Sequence, residues 1–223
     1  MERPIRIYPS LLAADFGSLE SEVRRCVAAG ADGIHLDVMD GHFVPNLSMG
    51  QDIVRMARHT VGVHMNVHLM VSNPHAHIES FVSAGADTIL IHVEADSDLR
   101  ATLAAIHREG IRAGIAINPG TDASEALKYL DAVDEILCMT VHPGFGGQEF
   151  IDSAVKTVSD VRLGSVEHGK RIDIGVDGGL NRDRVRDCAA AGANIFDVGT
   201  HLFRARDMAR EIKRLHELAR KTS

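Results

Sequence analysis

The stretch Ala29-Gly30-Ala31-Asp32-Gly33-Ile34-His35-Leu36-Asp37-Val38 reads as the end of a helix running into a buried strand. Gly30 stands just past a helical run, where a left-handed glycine caps a helix C-terminus. The Ile/Leu/Val-rich run after it has strand length. The signature recurs at Ala84-Gly85-Ala86-Asp87 and Ala191-Gly192-Ala193-Asn194, and more loosely at Glu109-Gly110-Ile111-Arg112. Working outward, the spacing predicts strands at Ile5–Pro9, Gly33–Val38, Val63–Leu69, Thr88–His92, Arg112–Ile117, Glu135–Thr140, Asp173–Asp177 and Ile195–Gly199. Helical runs lie between them at Ser18–Ala29, Pro74–Ala84, Leu99–Glu109, Ser153–Glu167, Asp183–Ala191 and Asp207–Lys221, with less regular patterns near Asp52–His59 and Glu125–Leu130. Ser18–Ala29 shows the period well, with Leu19, Val23 and Cys26/Val27 at helical spacing.

Eight β-then-α units in 223 residues leave about 28 residues per unit, enough for a compact (β/α)8 barrel. An open doubly wound sheet would carry fewer strands and a glycine-rich first turn. Here the first turn is Pro9-Ser10-Leu11-Leu12. The expectation is therefore an α/β chain folded as a single TIM barrel with a parallel eight-stranded core, residues 1–223 forming one domain.

Composition narrows the function classes. Hydrophobic residues are 45% and charged residues 25%, ordinary for a packed domain and too apolar for a disordered one. Lys+Arg total 24 against 31 Asp+Glu, a net charge of -7, and aromatics are 4% without Trp. A phosphate-backbone binder needs a basic face and a base-stacking one needs aromatics, so no nucleic-acid partner is expected. No apolar run approaches the roughly 18 residues of a spanning helix, so no membrane role is expected. The start, MERPIRIYPS, lacks the apolar core of a signal peptide. Cys26, Cys138 and Cys188 are scattered without a CxxC, which disfavours a disulfide framework or cysteine zinc site and suits the cytoplasm.

The unusual residues gather at strand ends, where barrels carry their sites. Alternation puts His35, Asp37 and Met39 on one face of the second strand, and His64, Asn66, His68 and Met70 on one face of the third; the seventh ends at Asp177. Each residue alone reads as a satisfied polar group. The HxD pair with a further His and Asp at matching strand ends reads as a site for one divalent metal, with Zn, Fe(II), Mn or Co suiting the donors better than Ca or Mg. His59, His75, His77, His107, His168 and His216 fall on helical runs or exposed ends and read as solvated or capping. Three glycine-rich segments follow strands six, seven and eight: His142-Pro143-Gly144-Phe145-Gly146-Gly147-Gln148, Asp177-Gly178-Gly179 and Val198-Gly199-Thr200. Plain turns are the simple reading of each. Three at one end of consecutive units favour a phosphate cup, because glycines let backbone N–H groups approach an anion. Met39, Met70 and Met139 read either as core filler or as a water-excluding lid.

At this point the chain resembles the ribulose-phosphate 3-epimerase family along nearly its whole length. The motifs are Pro9-Ser10-Leu11-Leu12-Ala13-Ala14-Asp15-Phe16, the long run from His35 through Asp37-Val38-Met39-Asp40-Gly41-His42 to Asn46, Val67-His68-Leu69-Met70-Val71, His142 to Gln148, and Val176-Asp177-Gly178-Gly179. The resemblance implies a (β/α)8 barrel and metal-dependent epimerisation at the carbon next to a ketone in a phosphorylated ketose. The expected reaction is D-ribulose 5-phosphate to D-xylulose 5-phosphate, through an enediolate stabilised by the metal. It implies one metal held by His35, Asp37, His68 and Asp177, with Asp37 and Asp177 as the acid/base pair. Ser10, His68, Gly144, Phe145, Gly146, Gly147, Asp177, Gly178, Gly179, Gly199 and Thr200 match substrate and phosphate contacts, and Met39, Met70 and Met139 a methionine cap. It also implies a homo-oligomer. Three residues depart from the family pattern: His142 for Asn or Asp, Asn66 for Asp, and Val198-Gly199-Thr200 for Ala-Gly-Ser. His142 either touches the sugar or faces solvent. The alternatives are another ketose phosphate, such as allulose 6-phosphate or a tetrulose phosphate, and a non-catalytic phosphosugar-binding barrel. A metal-dependent hydrolase lacks a second metal cluster or a dedicated water-activating base.

Overall fold

The computed structural model describes residues 3–95 and 98–221. Eight parallel strands form one sheet: β1 (Arg6–Pro9), β2 (Gly33–Met39), β3 (His64–Met70), β4 (Thr88–His92), β5 (Arg112–Ile117), β6 (Glu135–Met139), β7 (Asp173–Asp177) and β8 (Ile195–Val198). Their order is β1-β8-β7-β6-β5-β4-β3-β2, and a parallel bridge between Ser10 and His35 joins the two ends of that series. The sheet thus closes on itself as the expected (β/α)8 barrel.

The helices are α1 (Leu19–Ala28), α2 (Gln51–Thr60), α3 (Ile78–Ala84), α4 (Leu99–Arg108), α5 (Ala123–Leu127), α6 (Ala154–Glu167), α7 (Arg182–Ala190), α8 (Thr200–Phe203) and α9 (Met208–Arg220). Asp98, Asp122, Asn181 and Asp207 start α4, α5, α7 and α9 by accepting backbone N–H bonds from Ala101, Ser124, Arg184 and Arg210. Two differences from the sequence expectation have local causes. Pro74–His77 winds as a 3-10 turn ahead of α3, with its proline at the helix start. The single turn of α8 was not expected, because four residues are too few to display a helical period.

The strands' two faces have different jobs. Ile34, Leu36, Ile89, Ile91, Ile136, Ile174 and Val176 point outward into the apolar layer under the helices. The inward face carries a small apolar plug of Leu90, Ala116, Leu137 and Met139, with Val141 beside it, and a second apolar cluster around Met39 and Met70. Glycine makes room there for large neighbours. A Cβ on Gly114 would lie 2.3 Å from Leu90 Cδ2 and 2.9 Å from the Glu135 carbonyl oxygen.

The Ala-Gly-Ala repeat has a structural counterpart. Gly85 and Gly192 close α3 and α7 with φ of 103° and 109°. Each also receives an arginine from the preceding helix: Arg58 Nε donates to the Gly85 carbonyl at 3.0 Å, and Arg162 Nε to the Gly192 carbonyl at 3.1 Å. A Cβ at either glycine would lie 2.6 Å from that arginine's Cγ. Units two–three and six–seven therefore repeat one joint across the barrel.

The end of the barrel opposite the strand C-termini is tied by one carboxylate. Asp173 accepts from Arg3 Nη1 at 2.6 Å, Arg6 Nη1 at 3.0 Å, Arg112 Nη2 at 2.5 Å and Asn194 Nδ2 at 2.9 Å. Burial alone would raise its pKa, but the Asn194 hydrogen bond and the three guanidinium groups outweigh it and hold the carboxyl well below the usual carboxylate range. A depressed native pKa contributes stability above the unfolded pKa and loses it as pH falls. Asp173→Asn is expected to lower unfolding stability at pH 7 by about 3 kcal/mol, the lower end for breaking a buried ion pair. In urea titrations the gap between parent and variant should narrow below about pH 4, where the unfolded carboxyl protonates. An equal gap at pH 3 and pH 7 would show that the charge is not the source.

Candidate active site

A cavity of about 280 Å³ opens at the C-terminal ends of the strands. Register builds it. Asp37 pairs with His68 and Met39 with Met70 across β2 and β3, while Asp177 pairs with Met139 on β6 and with Asp197 on β8. Ser10, Asp37 and Asp177 line the cavity, with Met39, Met70 and Met139 beside them. Gly144, Phe145, Gly146, Gly147, Gly178, Gly179, Gly199 and Thr200 make a continuous wall from the loops after β6, β7 and β8. His35 and His68 are fully buried and are not among the lining residues. His68, expected to meet the substrate, therefore lies behind the cavity surface.

Asp37 is the hub. Its Oδ1 lies 3.1 Å from both His35 Nε2 and His68 Nδ1, and its Oδ2 accepts from Ser10 Oγ at 2.6 Å. One donor atom each from His35, Asp37, His68 and Asp177 lies within 4.8 Å of the others. Two imidazoles and two carboxylates in that space are a donor set suited to a divalent first-row ion. The cluster can thus hold a metal.

Electrostatics separates the two carboxylates. Burial would raise Asp37, but the charge and hydrogen bond of His35 come first among the causes that outweigh it and hold the carboxyl well below its ordinary range. Asp177 is pushed well above the ordinary value, first by burial and then by the charge of Asp37. Burial pulls His68 down to about 4, whereas the carboxylates of Asp197 and Asp37 overcome burial and raise His35. Two carboxyls in one cavity, one ionised and one inclined to hold a proton, can act as a base and an acid.

The surroundings supply Asp197, Glu135 and His92, which sequence reading passed over, and set Asn66 among them. Asp197 is buried 3.2 Å from His35 Nδ1, and neither of its oxygens has a hydrogen-bond partner among the described residues. Asn66 Oδ1 lies 3.0 Å from His35 Nδ1, and Asn66 Nδ2 donates to Glu135 at 3.2 Å. Burial, reinforced by the charge of Asp197, pushes Glu135 up to about 8. His92 Nε2 lies 2.8 Å from His68 Nε2. The signal for His92 was available: Thr88, Leu90 and His92 alternate on β4 as His35, Asp37 and Met39 do on β2. His142, by contrast, is exposed and outside the cavity lining; only its carbonyl takes part, accepting from Gln148 Nε2 at 2.7 Å.

The glycines also divide. Gly178 and Gly179 have φ of 115° and 63°, and a Cβ would lie 2.4 Å from Val141 Cγ2 and 2.7 Å from the Phe150 nitrogen, respectively. Those two are required by the loop itself. A Cβ on Gly146 meets nothing closer than Leu12 at 3.9 Å, so Gly146 leaves open room at the cavity wall.

The profile of the Ribulose-phosphate 3 epimerase family matches residues 6–203. The chain is 43% identical over 203 residues to ribulose-phosphate 3-epimerase of Rhodobacter capsulatus, covering 91% of this chain and 88% of that protein. It is 39% identical over 212 residues to the Bacillus subtilis (strain 168) protein of that name, covering 95% and 98%. Among solved structures it resembles KGPDC from Streptococcus mutans (TM-score 0.75, 13% identity, 99% of each chain) and 3-hexulose-6-phosphate synthase from Salmonella typhimurium (TM-score 0.71, 16% identity, 98% and 100%). Those two likenesses show the fold. The profile match and the curated relatives show the family: this chain is a member of the ribulose-phosphate 3-epimerase family, isomerases acting on carbohydrates.

Proposed function

We propose that the chain interconverts D-ribulose 5-phosphate and D-xylulose 5-phosphate by moving a proton on and off C3. The observation that carries this reading is the pair Asp37 and Asp177, brought from the ends of β2 and β7 to line one cavity. Inverting a carbon beside a ketone needs a base on one face of the planar intermediate and an acid on the other. A carboxylate oxygen of Asp37 takes the C3 proton of one epimer, and the carboxyl of Asp177 delivers its proton to the opposite face. Asp37 is then the protonated partner, ready for the return reaction.

The other residues support those transfers. Ser10 Oγ holds Asp37 Oδ2 in one orientation. His35, Asp37, His68 and Asp177 would hold the metal, which supplies Lewis-acid stabilisation of developing negative charge on the substrate oxygens. Met39, Met70 and Met139, all buried, exclude water around the reacting carbon. The wall from Gly144 to Gly147, Gly178, Gly179, Gly199 and Thr200 takes the phosphate, whose binding energy keeps the sugar in register. The exposure of His142, outside the cavity lining, supports a pentulose phosphate over a different ketose phosphate. Cys26, Cys138 and Cys188 are all buried and free, which supports the cytoplasm as the setting.

Three outcomes follow from these assignments. The protein should bind about one divalent ion per chain, and His68→Ala should weaken that binding at least 10-fold in chelator competition, since even outer-shell changes cost that much; undiminished turnover after complete metal removal would rule the ion out. Gly146→Val should raise KM for the phosphorylated sugar at least 10-fold while leaving thermal stability near the parent's, because a Cβ there meets nothing closer than Leu12 at 3.9 Å. In D2O, metal-loaded Asp37→Asn should exchange deuterium into one epimer only, and Asp177→Asn into the other, each with epimerisation reduced by at least 100-fold. Exchange into the same epimer by both variants, followed by NMR, would refute the assignment of one carboxylate to each face.

A further inference from the structure

Behind the candidate metal cluster runs a chain of hydrogen bonds that the proton transfers do not use. We infer that Glu94 and His92 form a positioning relay that locks His68 in the tautomer protonated at Nε2, so that its Nδ1 lone pair is presented to the metal cluster. The inference rests on the metal reading given above and adds two residues to it.

Hydrogen-bond bookkeeping leads to the tautomer. Glu94 Oε1 accepts from the Asn118 backbone N–H at 2.9 Å and from Thr121 Oγ1 at 2.6 Å. Burial would raise the Glu94 pKa, but the hydrogen bonds from His92, Thr121 and Asn118 outweigh it and lower the pKa, so the group is an ionised acceptor. Its Oε2 lies 3.0 Å from His92 Nδ1, and that nitrogen must carry the proton. In neutral His92, Nε2 is then a lone pair. His68 Nε2 stands 2.8 Å away, and two lone pairs cannot face each other at that distance, so His68 Nε2 carries the hydrogen and donates it. His68 Nδ1 is left as a lone pair, 3.1 Å from the Asp37 Oδ1 carboxylate oxygen. Two acceptors converging there are complementary to a cation.

The surroundings hold this order in place. His92 is fully buried, and the Phe43 ring packs on it with centroids 4.7 Å apart. Glu94 sits just past β4, while Asn118 and Thr121 belong to the loop after β5. The direction of the His68 lone pair is therefore set by two neighbouring βα loops, one of which donates twice to the carboxylate that starts the relay. This is the carboxylate–imidazole support commonly found behind metal-ligating histidines, extended by one extra imidazole.

The test reads the tautomers directly. In the metal-free chain labelled with 15N in its histidine rings, two-bond 15N–1H correlation at neutral pH should show His68 protonated at Nε2 and His92 at Nδ1. In Glu94→Gln one amide oxygen replaces two carboxylate oxygens, and both rings should become mixtures. Zinc affinity, measured by competition with a chromophoric chelator, should fall 10–100-fold. His92→Phe, which fills the same space without an acceptor, should lower zinc affinity similarly while keeping the folded circular-dichroism spectrum. A parent His68 protonated at Nδ1 would overturn the relay with no substitution needed, as would unchanged tautomers and zinc affinity in Glu94→Gln. A parent that shows both expected tautomers but binds no zinc would overturn the metal reading and leave the relay standing.

Discussion

An ionised carboxylate sealed inside a barrel is the constraint on which this molecule is organised. Asp37 is 2% exposed, yet it is held well below its ordinary pKa. An isolated charge in that position would carry a desolvation cost of several kcal/mol. It is tolerable because Ser10 donates to one of its oxygens and the ring of His35, itself raised, meets the other. Ser10 lies just past β1 and His35 on β2. The contact that satisfies the charge thus crosses the junction where the ring of strands closes. Chemistry and closure share one pair of residues at the Ser10–His35 bridge.

That arrangement spreads inward and downward. A barrel interior is ordinarily filled by branched apolar side chains. Here Asn66, Thr88, Glu135 and Asp197 occupy buried positions instead. Asn66 serves two neighbours at once, facing His35 with its oxygen and Glu135 with its nitrogen. Asp197 has no hydrogen-bond partner of its own among the described residues, and its negative charge contributes to raising His35, Asp177 and Glu135. The apolar layer that stabilises the fold lies almost entirely outside the ring, between strands and helices, where it does not compete with these groups.

The glycine-rich wall shows how a fold requirement and a binding requirement can coincide. Gly178 and Gly179 could not carry side chains whatever bound nearby, since Val141 and Phe150 occupy the space. Backbone bent for that reason is also backbone exposed to the cavity. Gly146 carries no such packing demand, which makes it the informative position for separating the two requirements.

The alternation of strands and helices, the inward face of each strand and the end of the barrel that carries function were all legible in residue order, because period and turn chemistry are local. His35, Asp37 and Met39 share a face by a period of two, and no fold is needed to know it. The helix-closing glycines were readable for the same reason, although not the arginines that pack on them. Distances between strands were another matter. His92 and Glu94 gain their relation to His68 through the β3–β4 neighbourhood and the loop after β5, and Asp197 reaches His35 across the ring from β8. His142 sits inside the most recognisable loop motif yet is exposed and does not line the cavity. Such relations depend on shear, closure and loop path, which sum over the whole barrel, so no window of sequence contains them.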